Sequence, residues 1–282
     1  MKAIKHICTL CSEKETILLD SKTFLFCPEC GSIYKIDRGR IYFLSSVGEG
    51  EDFLNRVKSR LKAFPAIYYF IAYLFSPLMP SFVFRINKMI KKEIKSNSLG
   101  LNIGSGPSRR SKNLVNSDIH PYTNVDVVCT AEKLPFESNT FDYVVISEVI
   151  EHLQNPKVSV SEINRVLNSN GRLIASIPFM VGYHASPYDF QRYTKFGLQN
   201  LFSEFEDVQI MSFGPTGALL WIFQEWFALF LSFGNRKIHV VLVGILMLIT
   251  WPIKFLDLLL WKNINSENIA STFVVTARKK TQ

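Results

Sequence analysis

The N-terminus, MKAIKHICTLCSEKET, lacks the apolar stretch that opens a secretory signal. That predicts the cytosol, where cysteines stay as thiols instead of forming structural disulfides. Acidic residues are in deficit, 24 Asp and Glu against 32 Lys and Arg, which leaves a net charge of +8. Such a surface suits a polyanionic partner, either nucleic acid or an acidic bilayer. No glycine-rich loop carries the Lys-Ser/Thr of a phosphate-binding P-loop or the full dinucleotide fingerprint. Charged residues are only 20% of the chain and hydrophobic residues 48%, which excludes a disordered chain. The 282 residues suffice for one large domain and a small one. The 23 phenylalanines tilt the choice of polyanion towards lipid.

Four of the five cysteines stand close together. Cys8, Cys11, Cys27 and Cys30 form C-x2-C-x15-C-x2-C, a spacing that suits tetrahedral zinc held by two tight turns. The segment is too short for a core of its own, so metal would supply much of its folding free energy. With all four positions filled by thiolates, the role expected is structural. Free thiols or two redox pairs are the alternatives. The strands expected around IDRGRIYFL would complete a zinc ribbon over residues 1–45, which could bind a partner or brace its neighbour. Cys129, in an apolar run, reads as a small core residue.

From residue 99 short apolar runs alternate with helical stretches. LGLNIG, NLVNSDI, VDVVCTA, FDYVVIS and GRLIASIPF read as strands covered on both faces. NPKVSVSEINRVLNSNG reads as a helix, with Asn155 as N-cap, Pro156 at its first position and Gly171 just past its end. The pattern predicts an α/β, doubly wound parallel sheet with its ligand at the carboxyl ends of the strands. The first strand ends in Gly104-Ser105-Gly106, either a close backbone approach to a ligand or a tight structural turn. The second ends in Asp118, a carboxylate able to take both hydroxyls of a ribose.

LNIGSG, NSDIHP, AEKLPFESNTFDYVVISEVIEHL and EINRVLNSNGRLIASIPF occur in order. Over residues 99–213 the chain resembles class I S-adenosylmethionine-dependent methyltransferases. The resemblance implies a seven-stranded Rossmann-like sheet and cofactor contacts at Asn102, Gly104, Ser105, Gly106, Asp118, Ile119, Thr130, Ala131, Glu132 and Ser147. Gly104 and Gly106 would approach the methionine moiety and Asp118 would hold the ribose. The backbone near Ala131 and Glu132 would meet the adenine, and Ser147 would lie near the transferred methyl. Asn102 and Thr130 stand where that family usually carries acidic residues; both can hydrogen-bond, without charge.

GYHASPYDFQRYTKFGLQNLF, residues 182–202, follows the fifth strand and resembles methyltransferases of bacterial polysaccharide and glycolipid assembly. Methyl transfer to a hydroxyl needs alignment and proton removal. His184 or Asp189 could be the base, and Arg192 could hold a phosphate or carboxylate. Alternatively Asp189 and Arg192 form a structural ion pair with His184 exposed. His152, in EVIEHL, could be structural or near the acceptor.

Residues 214–262 form an apolar insertion between two strands, VQIMSF and 271–278, expected to pair in one sheet. A single membrane crossing is then excluded. Gln224 and Glu225 would be costly in mid-bilayer, and the uncharged runs fall short of the roughly 20 residues of a span. The expectation is a helix pair lying in the interface, anchored by Trp221, Trp226, Trp251 and Trp261. A dimer interface or a buried helix pair would also fit. Residues 46–98 read as a basic and apolar helical linker and cap, with nine Lys and Arg against three Asp and Glu over 51–98. The uncharged run 64–84 within it suits an anionic membrane surface, at about 1 kcal/mol per nearby charge. The function expected is methyl transfer to a lipid-linked or small-molecule acceptor, most simply a glycan hydroxyl, on the inner face of a membrane. A quinone or lipid acceptor, an RNA acceptor (disfavoured by the apolar segments) and a non-catalytic scaffold are the rivals.

Overall fold

The computed structural model describes residues 4–11, 19–21, 23–44, 70, 86–91, 98–107, 109–184, 188–260 and 263–281. Most of the linker and cap at 46–98, including the run 64–84 apart from Phe70, lies outside the described residues, as does Trp261.

Eleven strands form one sheet. Seven come from residues 100 onwards: β5 (Gly100–Ile103), β6 (Leu114–Asp118), β7 (Val127–Val128), β8 (Phe141–Ser147), β9 (Leu167–Pro178), β10 (Phe205–Phe213) and β11 (Thr272–Lys279). Their order is β7-β6-β5-β8-β9-β11-β10, parallel up to β9, with β11 antiparallel to both β9 and β10. The sheet is larger than the seven strands expected because the N-terminal segment adds to it. There β1 (Leu19–Asp20), β2 (Phe24–Phe26), β3 (Ile33–Asp37) and β4 (Arg40–Tyr42) form an antiparallel ladder. Arg38 and Gly39 turn β3 into β4 at positive φ, +51° and +77°, a conformation suited to a two-residue hairpin. Strand β4 then pairs parallel with β7, so the cysteine-bearing segment continues the large sheet.

Side chains alternate along β8. Val144 and Ile146 face a core that includes Val160, Ile163 and Val166 of α1 (Pro156–Val166) and Leu198 of α2 (Lys195–Leu201). Tyr143 and Val145 face the other side, where Ile86 and Ile90 of helical residues 86–91 cover them. Each of these buried aliphatic side chains contributes about 1.5–3 kcal/mol. Both faces of the sheet are thus covered, as the continuous apolar runs require.

Two expectations need correction. Among the described residues, turns and bends, not helices, connect β5 to β6, β6 to β7 and β7 to β8. The helix after Asn155 ends at Val166, and Gly171 lies inside β9. Asn155 does occupy the N-cap position, but its side chain makes no capping bond there. The early stop follows from sheet pairing: residues beyond Val166 are taken by β8, Leu167 opposite Phe141 and Arg172 opposite Tyr143, with a register shift between.

The insertion forms α3 (Pro215–Ser232) and α4 (Arg236–Thr250), joined by a turn at Phe233 and Gly234. Its two ends meet in the sheet, Phe213 opposite Thr272. The uncharged runs are short, yet α4 continues through helical turns to Leu260. That gives a 25-residue helical run long and apolar enough to cross a membrane by length and composition.

Candidate active site

The loop after β5 carries Gly104 and Gly106 at φ of +64° and +59°. A Cβ at Gly104 would lie 2.2 Å from Cγ2 of Val149, so a side chain is excluded by backbone and by space. The loop is tied to the end of β6: Gly106 N donates to Asp118 Oδ2 at 2.8 Å, and His120 N to Asp118 Oδ1 at 2.9 Å. Asp118 is buried, and Ile119 follows it half-buried. Ser105 is buried, its hydroxyl donating to Gly106 O. Asn102 is also buried and gives its amide to Asn116 Oδ1, whose own amide goes to Asn124 O. Asn102 therefore serves a polar chain between β5 and β6. Thr130 and Glu132 are half-buried and Ala131 buried; Glu132 accepts from Asn155 N at 3.1 Å.

The carboxyl ends of β8 and β9 bring a second group together. Ser147 closes β8 with its hydroxyl buried and unpartnered. Glu148 follows in the left-handed region at φ +54°, where Glu148 N bonds Ser176 O of β9. Burial, and then the nearby charge of Glu151, push the Glu148 carboxyl up to about 8. Glu151 is fully buried and neither of its oxygens has a hydrogen-bond partner. His152 Nε2 and His184 Nε2 each lie 3.6 Å from Glu151 Oε1, and the two imidazole rings meet edge-on at 5.3 Å. Burial opposes the charged form of His184, but the facing Glu151 carboxylate outweighs it and raises its basicity.

Asp189 and Arg192 form a two-pronged ion pair beneath this group, and Asp189 Oδ2 also accepts from His184 N at 2.9 Å. The Arg192 guanidinium holds the Asp189 carboxyl down at about 2. The segment carrying the pair is fastened to the turn after β8 by Phe190 N to Glu151 O and by Gln191 Nε2 to Leu153 O. The structure thus brings His184, Asp189 and Arg192 together with His152. The alternatives posed by the sequence coexist here, since the ion pair is formed and it also positions His184. Glu148 and Glu151 were missed. Their signal was the Glu-x-x-Glu-His spacing at a strand's carboxyl end, which had been absorbed into the family resemblance.

Trp221 differs from the expected membrane anchor. Its ring centroid lies 6.2 Å from that of His184, and its indole nitrogen would be 2.3 Å from a Cβ at Gly182. It roofs the histidine while Trp226 faces outward, 61% exposed.

The four N-terminal thiols also converge. Cys8 Sγ lies 3.6 Å from Cys30 Sγ and Cys11 Sγ 3.5 Å from Cys27 Sγ, with all four within 4.8 Å of one another. Sulfurs about 2.3 Å from one tetrahedral ion stand about 3.8 Å apart, so the donor set fits such an ion. Leu10 N and Cys11 N approach Cys8 Sγ at 3.4 Å and would support a thiolate. Cys129 is buried elsewhere, which pushes its thiol up to about 12.

Residues 87–175 match the model of a family described as a methyltransferase domain. An uncharacterised protein of Methanocaldococcus jannaschii is 37% identical over 51 residues, 18% of this chain and 25% of that relative. The chain therefore spans about a quarter of the length of this curated relative. Among solved structures, phosphoethanolamine N-methyltransferase 2 of Haemonchus contortus, bound to S-adenosylmethionine, is similar with a TM-score of 0.50 at 18% identity. That likeness covers 85% of this chain and 62% of the other. An S-adenosylmethionine-dependent methyltransferase of Thermotoga maritima gives a TM-score of 0.46 at 14% identity, covering 79% of this chain and 98% of the other. The matched region, residues 87–175, is thus similar to a methyltransferase domain, and the fold of the described core is similar to that of the S-adenosylmethionine-bound structure.

Proposed function

We propose that the protein lies on an anionic membrane surface and moves a methyl group from S-adenosylmethionine to a hydroxyl of a lipid-linked glycan. The observation that carries this reading is the helical hairpin built over the acceptor side. Several of its polar groups are paired: Gln224 Nε2 donates to Thr250 Oγ1 and Asp257 accepts from Thr216 N in the buried interior, and the half-exposed Glu225 pairs with His239. Its outer surface is apolar, with Trp226, Leu229, Phe230, Phe233, Ile249 and Leu259 all more than 60% exposed. An apolar surface of this extent needs a cover. The base of the same hairpin places Trp221 on His184, so whatever covers the outside meets the acceptor side. An acceptor held in the bilayer by a lipid would reach His184 without leaving the interface. RNA is a poorer fit, because it offers no cover for this surface.

In this reading the glycine loop and Asp118 bind the cofactor, and the bound sulfonium supplies an activated methyl. His184, positioned by Asp189 and Arg192, takes the proton of the attacking hydroxyl. Zinc held by Cys8, Cys11, Cys27 and Cys30 fixes the N-terminal strands to the sheet edge.

Flotation with anionic liposomes tests the membrane reading. Wild-type protein should float, and the pair Leu229→Glu with Phe230→Glu should not, at unchanged S-adenosylhomocysteine affinity. A Cys introduced at Asn235 should be labelled from the same side as one at Asn263; labelling from the opposite side makes the hairpin a spanning element. Mass spectrometry of extracted glycolipids, with and without the gene, identifies the acceptor. If no glycolipid loses a methyl group, the glycan assignment fails.

A further inference from the structure

We infer that Glu151, His152 and His184 hold a divalent first-row metal ion at the acceptor side of the sheet. A carboxylate with no exposure and no hydrogen-bond partner for either oxygen is costly to leave so, and the structure keeps one at the centre of this site. The ligand atoms of the three residues lie within 4.8 Å of one another, and each imidazole Nε2 is 3.6 Å from Glu151 Oε1. Nitrogen and oxygen ligands about 2.1 Å from one ion stand roughly 3.0–3.5 Å apart, so small side-chain shifts would close the shell.

The outer nitrogens support the same arrangement. His152 Nδ1 faces Tyr188 O, and His184 Nδ1 lies 3.3 Å from Gly182 O. A ring that donates from Nδ1 to a backbone carbonyl presents the lone pair of Nε2, and this is how ligating histidines are commonly fixed. For His184 the donor-only Arg192 Nη2 also lies 3.3 Å from Nδ1, so the Nδ1-protonated form requires Arg192 to spend its hydrogens on Asp189, to which Nη2 donates at 2.7 Å. Glu148, three residues before Glu151, also has a buried oxygen without a hydrogen-bond partner, but it stands outside the three-residue ligand group. Two imidazoles with carboxylate oxygen suit Mn2+, Fe2+ or Zn2+ and leave positions open.

The site's existence does not depend on the proposed function, but its role rests on that reading. An ion here would take the acceptor hydroxyl oxygen into an open position and make its proton easier to remove. With its Nε2 on the ion, His184 would act through the metal instead of taking the proton itself, and the proton leaves to water. The oxygen lone pair forms the new O–CH3 bond, and the C–S bond breaks with its electron pair going to sulfur. The products are a methyl ether and S-adenosylhomocysteine. No electron is gained or lost by the metal.

Mn2+ is the probe, because the N-terminal thiolates favour softer ions. Calorimetry and electron paramagnetic resonance on the full chain should show one bound Mn2+. Glu151→Gln and His184→Asn should each weaken it by roughly 100-fold. The amide of Glu151→Gln keeps the shape of the carboxylate, and thermal melting of both variants checks that they fold. S-adenosylhomocysteine affinity should be unchanged in Glu151→Gln. Wild-type protein that binds S-adenosylhomocysteine but takes up no Mn2+ at roughly millimolar concentration overturns the site. So does a folded Glu151→Gln that binds Mn2+ as the wild type does. Glu151-dependent Mn2+ uptake in a protein that binds no S-adenosylhomocysteine supports the site and overturns the methyl-transfer reading instead.

Discussion

At the ends of β5 and β6, where the proposed function puts the cofactor, the chain satisfies its own polar groups. Asp118 is taken by two backbone amides, and Asn102, Asn116 and Asn124 form a closed chain. At the carboxyl ends of β8 and β9, where the proposed function puts the acceptor, the opposite holds. Ser147 Oγ, an oxygen of Glu148, both oxygens of Glu151 and Nε of Arg192 are buried without hydrogen-bond partners, and Glu151 Oε1 has only the two imidazoles at 3.6 Å. The first region is a finished backbone cradle that a ligand enters by shape. The second stores unmet hydrogen-bonding and charge demand that a ligand, ion or water must answer. In the proposed function this difference would give shape-based recognition to one half and chemistry to the other.

The largest effect should come from breaking the cradle. Gly104→Val puts a β-branched side chain at φ +64°, where even its Cβ would meet Val149 at 2.2 Å. We expect a loss of about 2–4 kcal/mol in stability and no measurable S-adenosylhomocysteine binding. Asp118→Ala removes the acceptor of two amide bonds and should weaken binding about 100-fold or more, at about 1.5–3 kcal/mol per charged hydrogen bond. Calorimetry on folded protein reads both. Near-normal affinity in either variant would place the cofactor elsewhere and end the division between the halves.

The strands of this molecule were legible because both faces of the sheet are buried, so Val144, Val145 and Ile146 of β8 and Leu173, Ile174 and Ala175 of β9 form continuous apolar runs. The cysteine spacing was legible because its ligand pairs are local. Crossovers were not, since the turns between β5 and β7 are decided by loop bonds such as Arg109 to Leu114 O and Asp126. The inward face of α3 was hidden for a related reason. Trp221 and Trp226 have similar surroundings in the sequence, and only packing against Gly182 and His184 separates them. The unpartnered state of Glu151 is a property of tertiary burial and has no local signal beyond its spacing from His152.

A smaller effect, confined to the acceptor half, is expected from His184→Ala and Asp189→Asn. Each should lower turnover by about 100-fold while S-adenosylhomocysteine affinity stays at the wild-type value. Asp189→Asn should also cost stability, about 2–3 kcal/mol, because it leaves the Arg192 charge unanswered; that figure is reduced for the partial exposure of Arg192. Full turnover in a destabilised Asp189→Asn would make the ion pair purely structural.

The smallest effect probes the proposed cofactor half at Asn102, where the methyltransferases that the sequence resembles usually carry an acid. Restoring the charge with Asn102→Asp looks like a repair, but the surroundings argue against it. Asn102 is 2% exposed and its amide is the donor to Asn116 Oδ1. A carboxylate would face that oxygen acceptor to acceptor. Asn116 could answer only by withdrawing its amide from Asn124 O, which leaves a different carbonyl short. The expected cost is about 1–3 kcal/mol of stability with no gain in affinity. Melting and S-adenosylhomocysteine calorimetry decide it. An affinity gain of about tenfold at unchanged melting temperature would show that Asn102 faces the cofactor, and that this side also holds an unmet demand.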